Sequence, residues 1–419
     1  MDRFVIDGER RLKGVVPISG AKNAVLPLLS AALLADGVYH FTNVPNLRDT
    51  RTMLKLLTDL GATGTLNGND LTLTVEPSKT REAPYELVRT MRASFYVLGP
   101  LLARYGEARV SLPGGCAWGP RPVDQHLKAL TKLGAQIEID AGYVVAKCNR
   151  LKGNEIIFEL SSVGATGNVL MASVLAEGTT ILENCSREPE IVQLCEMLEL
   201  MGAHIEGIGQ PRIIVHGVKS LHPVNMRIIP DRIELGTYMI AAAMVGDNVL
   251  FENVIPEHVH IVFDKLREAG CEIVISNGNL IQVKGSRKLQ PVDMKTSPYP
   301  GFPTDLQAQW IALMTQADGD SVVTETVYLD RFTHIAELRR LGAEIRVDNN
   351  VAHVTGKCKL KGAPVMSTDI RASSSLVLGG LAAAGTTILS RIYHLDRGYE
   401  QMEEKLTRIG AKIVREKEF

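Results

Sequence analysis

The sequence predicts an α/β protein of two domains, assembled from six copies of one βαβαββ-type unit, three to a domain. Three observations predict it: a phrase that returns six times at nearly constant spacing, a shared order of helix and strand signals between its copies, and helices with almost no polar face.

The phrase has the form Leu-x-x-Leu-Gly-Ala followed by a β-branched run, with Met201, Ala269 and Ile409 for the second Leu and Cys271 for the Ala in individual copies, and its glycines are Gly61, Gly134, Gly202, Gly270, Gly342 and Gly410. Successive spacings of 73, 68, 68, 72 and 68 residues are too regular for chance and too long for ordinary solenoid repeats. Each copy reads as an alanine-rich helix, a glycine, a strand, a loop, a second helix ending at the phrase, and then strands. Stretches 177–184, 246–253 and 385–390 follow this order, and the glycines Gly178, Gly246 and Gly385 are expected as left-handed helix caps. Stretches 24–35 and 376–384 are apolar all round, which predicts helices buried inside sheets. The domain break is expected near Ile229-Pro230. The strand before Ser19 opens a unit whose remainder lies elsewhere, so the expected domains are 22–229 and 1–21 plus 230–419.

A chain of 419 residues, 45% of them hydrophobic, buries sizeable cores. Lys and Arg total 46 against 47 for Asp and Glu, so no basic field exists to hold nucleic acid or an anionic membrane. The N-terminus is charged and lacks an apolar h-region, and 24–35 is too short to span a bilayer; a cytoplasmic protein is expected. The six cysteines (116, 148, 185, 195, 271 and 358) form no C-x-x-C pair and no zinc-type cluster with His, which fits a reducing compartment and no metal.

The first helix of each unit opens on its own polar signature: Ser19-Gly20-Ala21-Lys22-Asn23, Met91-Arg92-Ala93-Ser94, Ser162-Val163-Gly164-Ala165-Thr166, Asp231-Arg232-Ile233-Glu234, Pro303-Thr304-Asp305 and Thr368-Asp369-Ile370-Arg371. Capping accounts for Thr304, Thr368 and Asp231. It does not account for Lys22, Arg92 or Arg371, since cations at a helix N-terminus oppose the macrodipole and call for a counter-anion. The stretch Leu112-Pro113-Gly114-Gly115-Cys116-Ala117-Trp118-Gly119-Pro120-Arg121-Pro122 reads as a long mobile loop, on which a cysteine is no core filler and a nearby Arg favours its thiolate. Arg397 sits in the corresponding loop of the sixth unit, within Tyr393-His394-Leu395-Asp396-Arg397-Gly398-Tyr399-Glu400. Counterparts in the other four units are Asp49, Glu188, His258 and Arg331.

These motifs resemble, in order, those of the enolpyruvyl transferases that act on UDP-N-acetylglucosamine: Ser-Gly-Ala-Lys-Asn at 19–23, Met-Arg-Ala-Ser at 91–94, Pro-Gly-Gly-Cys at 113–116, Arg-Pro-Val-Asp at 121–124, Ser-Val-Gly-Ala-Thr at 162–166, Phe-Pro-Thr-Asp at 302–305 and His-Leu-Asp-Arg-Gly-Tyr at 394–399. The resemblance runs from about residue 1 to residue 416 and implies the family's two-domain inside-out α/β barrel. It implies phosphoenolpyruvate held by Lys22, Asn23, Arg121 and Arg397, and a UDP-sugar held by Arg92, Arg121, Pro122, Val123, Asp124, Gln125, Ser162, Val163, Gly164, Asp305 and Val327. Catalysis would fall to Cys116 as proton donor to the donor's methylene carbon, Asp305 as general base on the sugar hydroxyl, and Lys22 and Arg397. Arg331, Asp369 and Arg371 would stand behind them. No metal or redox cofactor is implied, and the partners are the two small substrates, with no nucleic acid and no membrane; oligomeric state is not set by the sequence. Trp118, Leu160 and Tyr328-Leu329-Asp330 depart from the family's usual residues.

Two other readings share the repeat architecture. One is the sister transferase acting on a phosphorylated shikimate (3-phosphoshikimate 1-carboxyvinyltransferase), against which the Cys116 loop argues. The other is a non-catalytic or RNA-end-processing protein, against which the neutral net charge argues.

Overall fold

The computed structural model describes residues 2–112 and 123–417. The chain divides into two compact units, Gly20–Ile229 and Met1–Ser19 with Pro230–Phe419, each with its own hydrophobic core. Among the described residues, each unit carries three four-stranded sheets. The repeat at 155–216 shows the pattern complete. Strand Glu155–Ile157 leads into helix Val163–Ser173, then strand Thr179–Glu183, helix Pro189–Leu200 and strands His204–Glu206 and Ile213–His216. The first strand pairs parallel with the second; the second pairs antiparallel with the fourth, and the fourth with the third.

Three repeats are completed across the sequence. Leu12–Pro17 pairs parallel with Gly246–Glu252 and so is the first strand of the fourth repeat. Asp2–Asp7 lies between Thr386–Ser390 and Lys412–Lys417 as the last strand of the sixth. In the other unit, Asn225–Arg227 pairs parallel with Gly37–Thr42 and supplies the first strand of the first repeat.

The six phrase glycines follow their helices at φ between 89° and 107°, a backbone conformation that costs glycine nothing and lets the chain turn straight into the next strand. Gly178 and Gly385 adopt the same geometry, at φ 87° and 88°. Gly246 does not: its φ is −79°, and glycine is required there because a Cβ would lie 2.3 Å from the Ala242 carbonyl oxygen. The expectation of a left-handed cap fails at that position because close packing, not backbone reversal, selects the residue.

The first helix of each repeat is buried almost throughout: Lys22–Ala31, Leu98–Tyr105 and Val163–Ser173 in one unit, Arg232–Val245, Gln307–Met314 and Ser374–Ala382 in the other. Alanine, glycine and serine on these helices permit close approach, with the sheets outside. No described helix is long and apolar enough to cross a membrane.

One close approach between two of these buried helices sets a testable limit. A Cβ at Gly99 would stand 2.3 Å from the Asn168 carbonyl oxygen and 2.6 Å from its Oδ1, the atom that accepts from Gly99 N–H at 2.6 Å. Alanine is the better helix former by about 0.8–1 kcal/mol, yet the two helices would have to part, at about 1–3 kcal/mol. Gly99→Ala is therefore expected to lower the melting temperature, as followed by circular dichroism; a raised melting temperature would show that propensity outweighs contact here.

Candidate active site

In the unit Gly20–Ile229 the polar residues singled out by sequence stand at helix N-termini. Lys22 is the first residue of its helix, and its Nζ lies 2.9 Å from Asp49 Oδ2 with both side chains nearly buried. Asp49 occupies the first turn of helix Arg48–Asp59, so one carboxylate satisfies that helix's dipole and the lysine together. Arg92 opens the 3₁₀ segment Arg92–Val97 that feeds helix Leu98–Tyr105. Ser162 caps helix Val163–Ser173, its Oγ accepting from Ala165 N–H at 3.3 Å. Gly164 comes so close to His126 that a Cβ would sit 3.2 Å from Nε2. Gln125, in helix Asp124–Lys132, accepts from Leu160 N–H at 3.2 Å through Oε1, tying that helix to the segment that leads to Ser162. Asn23 and Val123 are half-buried beside them. Cys116, Arg121 and Pro122, with Trp118, lie outside the described residues.

In the other unit three helix starts share one network of charges. Asp231 caps helix Arg232–Val245, its Oδ1 accepting from Ile233 and Glu234 N–H at 2.8 and 3.0 Å, while Oδ2 accepts from Arg371 Nη2 at 2.6 Å. Arg371 also donates to the Gly398 carbonyl at 2.6 Å. Asp369 Oδ1 accepts from Arg371 and Ala372 N–H at 2.8 and 2.7 Å and faces Arg331 Nη2 at 3.4 Å. Arg331 Nη1 donates to Asp305 Oδ1 at 2.7 Å and to Thr304 Oγ1 at 3.2 Å. Burial alone would raise the Asp369 carboxyl, but the Arg331 guanidinium and the two N–H groups hold it below the usual range. Burial likewise opposes charge on Arg331, and Asp369 and Asp305 overcome it. Of the five charged side chains in this network, that of Asp305 is the most open, at 25% exposed. Arg397 ends the 3₁₀ segment Ile392–Arg397, half-buried. Val327, 38% exposed, follows strand Ser321–Thr324.

Two assignments of helix caps change. Thr304 makes no cap bond; its hydroxyl donates instead to the buried carboxylate of Glu325 at 2.8 Å. At the sixth helix Asp369, not Thr368, collects the first N–H groups. The counter-anions demanded by Lys22 and Arg371 are side chains of the protein, Asp49 and Asp231. Sequence reasoning passed over Glu325, and also the buried Lys405, which donates to Glu234 and to Ser19 Oγ at 2.7 Å each. Among the described residues, the one group with donors arranged for a metal ion is His204, Glu206 and His216, whose ligand atoms lie within 4.8 Å of one another on neighbouring strands, a proximity that pairing creates and residue spacing hides.

A family model for EPSP synthase (3-phosphoshikimate 1-carboxyvinyltransferase) matches residues 6–406. The chain is 52% identical over 415 residues to the UDP-N-acetylglucosamine 1-carboxyvinyltransferase of Desulfosudis oleivorans, covering 99% of each, and 53% identical over 418 residues to that of Geotalea uraniireducens, covering all of both. The chain belongs to the enolpyruvyl transferase family. Among solved structures, the enolpyruvyl transferase NikO from Streptomyces tendae matches with a TM-score of 0.90 at 27% identity, over 99% of this chain and 98% of that one. EPSP synthase from Acinetobacter baumannii matches at 0.77 and 21% identity over the whole of both chains, which speaks for the fold.

In this enolpyruvyl transferase three imidazoles are held neutral beside the site residues. Burial, then the Arg92 charge, pulls His126 to about 3; burial, then Arg232, pulls His258 to about 4; burial pulls His334 to about 3, with Arg331 adding and Asp369 opposing. Each lies below the ordinary 6.5, so the unfolded chain binds more protons and stability falls as pH drops from about 6.5 toward 4. His334, fully buried with no hydrogen-bond partner on either ring nitrogen among the described residues, isolates one contribution. His334→Phe is expected to lose less melting temperature than the parent between pH 7 and 4.5, by about one proton's worth of slope. Parallel calorimetric curves would rule the imidazole out as a source of acid sensitivity.

Proposed function

We infer that the chain transfers the enolpyruvyl group of phosphoenolpyruvate to the 3'-hydroxyl of UDP-N-acetylglucosamine and releases phosphate, the first committed step of peptidoglycan synthesis. The observation that carries this is full-length identity of 52–53% with proteins named for that activity. The family model's own name belongs to the sister reaction on phosphorylated shikimate, and the high-identity relatives decide between the two. Phosphate release from phosphoenolpyruvate, measured with each acceptor in turn, tests it directly. Phosphoenolpyruvate and nucleotide sugars are cytoplasmic metabolites, so the reading places the protein there.

In the mechanism the sugar hydroxyl adds to C2 of phosphoenolpyruvate, losing its proton to Asp305, while C3 gains a proton from Cys116. The tetrahedral adduct then loses a proton from its C3 methyl group together with phosphate, and the C2–C3 double bond is restored. Asp305 suits the base's role because it ends the charge network: Arg331 aims it, and its side chain alone there keeps substantial exposure. Lys22, Asn23, Arg121 and Arg397 take the phosphate and carboxylate of phosphoenolpyruvate, spreading the charge that develops. Arg92, Arg121, Pro122, Val123, Asp124, Gln125, Ser162, Val163, Gly164 and Val327 take the UDP-sugar. The close packing of Gly164 on His126 and the Gln125–Leu160 bond support a backbone-lined site in that segment. Arg331, Asp369 and Arg371 hold the network in register.

Asp305→Asn keeps shape and a hydrogen bond toward Arg331, which retains Asp369 as its buried counter-charge. Substrate binding should persist while turnover falls about 10²–10⁴-fold. Near-full turnover with an unchanged pH profile would reduce Asp305 to a structural partner of Arg331.

Cys116 is expected to be alkylated by the phosphonate epoxide fosfomycin, whose phosphonate docks as phosphoenolpyruvate does and presents carbon to sulfur. Burial pushes the thiols of Cys185 and Cys195 up to about 12 and raises those of Cys148, Cys271 and Cys358 as well, so the rivals are poor nucleophiles. Cys116→Asp should retain part of the activity and lose covalent inactivation. Intact-mass spectrometry with peptide mapping checks both, and label on another cysteine would sink the assignment.

A further inference from the structure

The repeats carry an internal control. In four of the six, the residue after the second strand adopts a left-handed backbone: Asn43 (φ 57°), Asn184 (φ 59°), Asn253 (φ 54°) and Arg391 (φ 58°). The three asparagines use their side chains identically. Asn43 donates to the Ile228 carbonyl, Asn184 to Phe158 and Asn253 to Ile18, at 2.8, 2.9 and 2.6 Å, tying the strand's exit to the end of its parallel neighbour. This device is structural, and asparagine is among the residues that tolerate the left-handed region.

The fifth repeat abandons it. Glu325 stands at the equivalent position and does not take the left-handed conformation. The equivalent carbonyl, that of Thr296, is served by the Thr326 hydroxyl at 2.6 Å instead. The Glu325 carboxylate, fully buried, is thereby released to collect four donors. Oε1 accepts from Thr296 Oγ1 at 2.8 Å and from Val327 and Tyr328 N–H at 2.7 and 3.0 Å; Oε2 accepts from Thr304 Oγ1 at 2.8 Å. Thr304 in turn accepts from Arg331 Nη1, the donor that also holds Asp305.

We propose that Glu325 is the positioning residue of the acceptor side: one buried carboxylate fixes the Val327 loop and the Thr304–Asp305 helix start in a single geometry, so that the UDP-sugar contact and the base are set together. The proposal rests on the assignment of Val327 and Asp305 to the acceptor made above. A carboxylate is the group that suits, since every contact is an incoming donor and glutamate offers acceptor sites only. Glutamine has equal volume, but its N–H donors face either the Val327 and Tyr328 N–H groups, where the link breaks, or Thr304, whose hydroxyl must then reverse and accept a second bond beside that from Arg331.

The experiment is steady-state kinetics with each substrate varied, on the full chain, beside thermal melting. Glu325→Gln is expected to raise the KM for UDP-N-acetylglucosamine about tenfold and leave that for phosphoenolpyruvate within about twofold. Asn253→Ala removes the structural counterpart in the same unit and should lower the melting temperature with both KM values unchanged. Should Glu325→Gln fail to fold, Thr304→Val cuts the same link from its other end and is expected to give the same split with reduced kcat. Wild-type KM for the UDP-sugar in the folded variant, or a melting loss with equal changes in both KM values, overturns the proposal. Failure of the underlying reading is visible separately, in the unmutated enzyme, as no phosphate release with the UDP-sugar.

Discussion

A helix that is apolar on every side can be buried completely, but only its ends remain available for chemistry. Helices such as Val163–Ser173, Gln307–Met314 and Ser374–Ala382 satisfy their own main chain along their length, while the first-turn N–H groups have no internal partner and must find acceptors. Within the unit that contains Asp231, the three first helices pack on one another. Their starts consequently meet, and carboxylates recruited to serve unpaired N–H groups at two of them, Asp231 and Asp369, also stand close enough to bind guanidinium groups. The proposed site and the scaffold thus share one set of hydrogen bonds.

That arrangement is costly to keep if stability is its purpose. Arg331, Arg371, Asp231 and Asp369 are all nearly buried, and replacing buried ion pairs with well-packed apolar groups is often neutral or stabilising. What the network does supply is direction. Arg371 is locked by Asp231 and the Gly398 carbonyl, and Arg331 is set between Asp369, Thr304 and Asp305. Each guanidinium presents fixed donors, so the carboxylate at the open end is held in one orientation. In the other unit Lys22 and Asp49 follow the same logic with a single pair.

The period of the repeats, the burial of their first helices and the clustering of polar residues at helix starts were legible because each is a local property of the chain: a glycine after a helix, an unbroken apolar run, a cation where the dipole resists one. The partners were not. Arg371 and Asp231 are 140 positions apart, and Lys22 finds Asp49 only because two helix starts of one repeat adjoin. Composition cannot say which helix ends meet. The cap assignment at Thr304 failed for a related reason: a hydroxyl near a helix start has several acceptors within reach, and the tertiary one won, while at the sixth helix the neighbouring Asp369 took the N–H groups expected to reach Thr368. Gly246 shows the converse, a glycine with two possible reasons for being there, of which the structure selects close approach.

Repetition itself makes function separable from structure in this fold. When six copies of one unit must each leave a strand and enter a helix, the common solution can be taken as the structural requirement and departures from it as something added. The Asn43, Asn184 and Asn253 bonds are that common solution. The repeat of Glu325 satisfies the same carbonyl by a neighbouring threonine, which shows that the requirement is still met and that the asparagine was not simply lost. A residue released from its structural duty while the duty is discharged next door is free to be set by the site. Here the freed position holds a buried charge surrounded by donors, which would be a penalty for a loop with no task. Such divergence is concentrated where strands end and helices begin, and the apolar helix interiors, which cannot vary in polarity without opening a core, keep the scaffold constant beneath it.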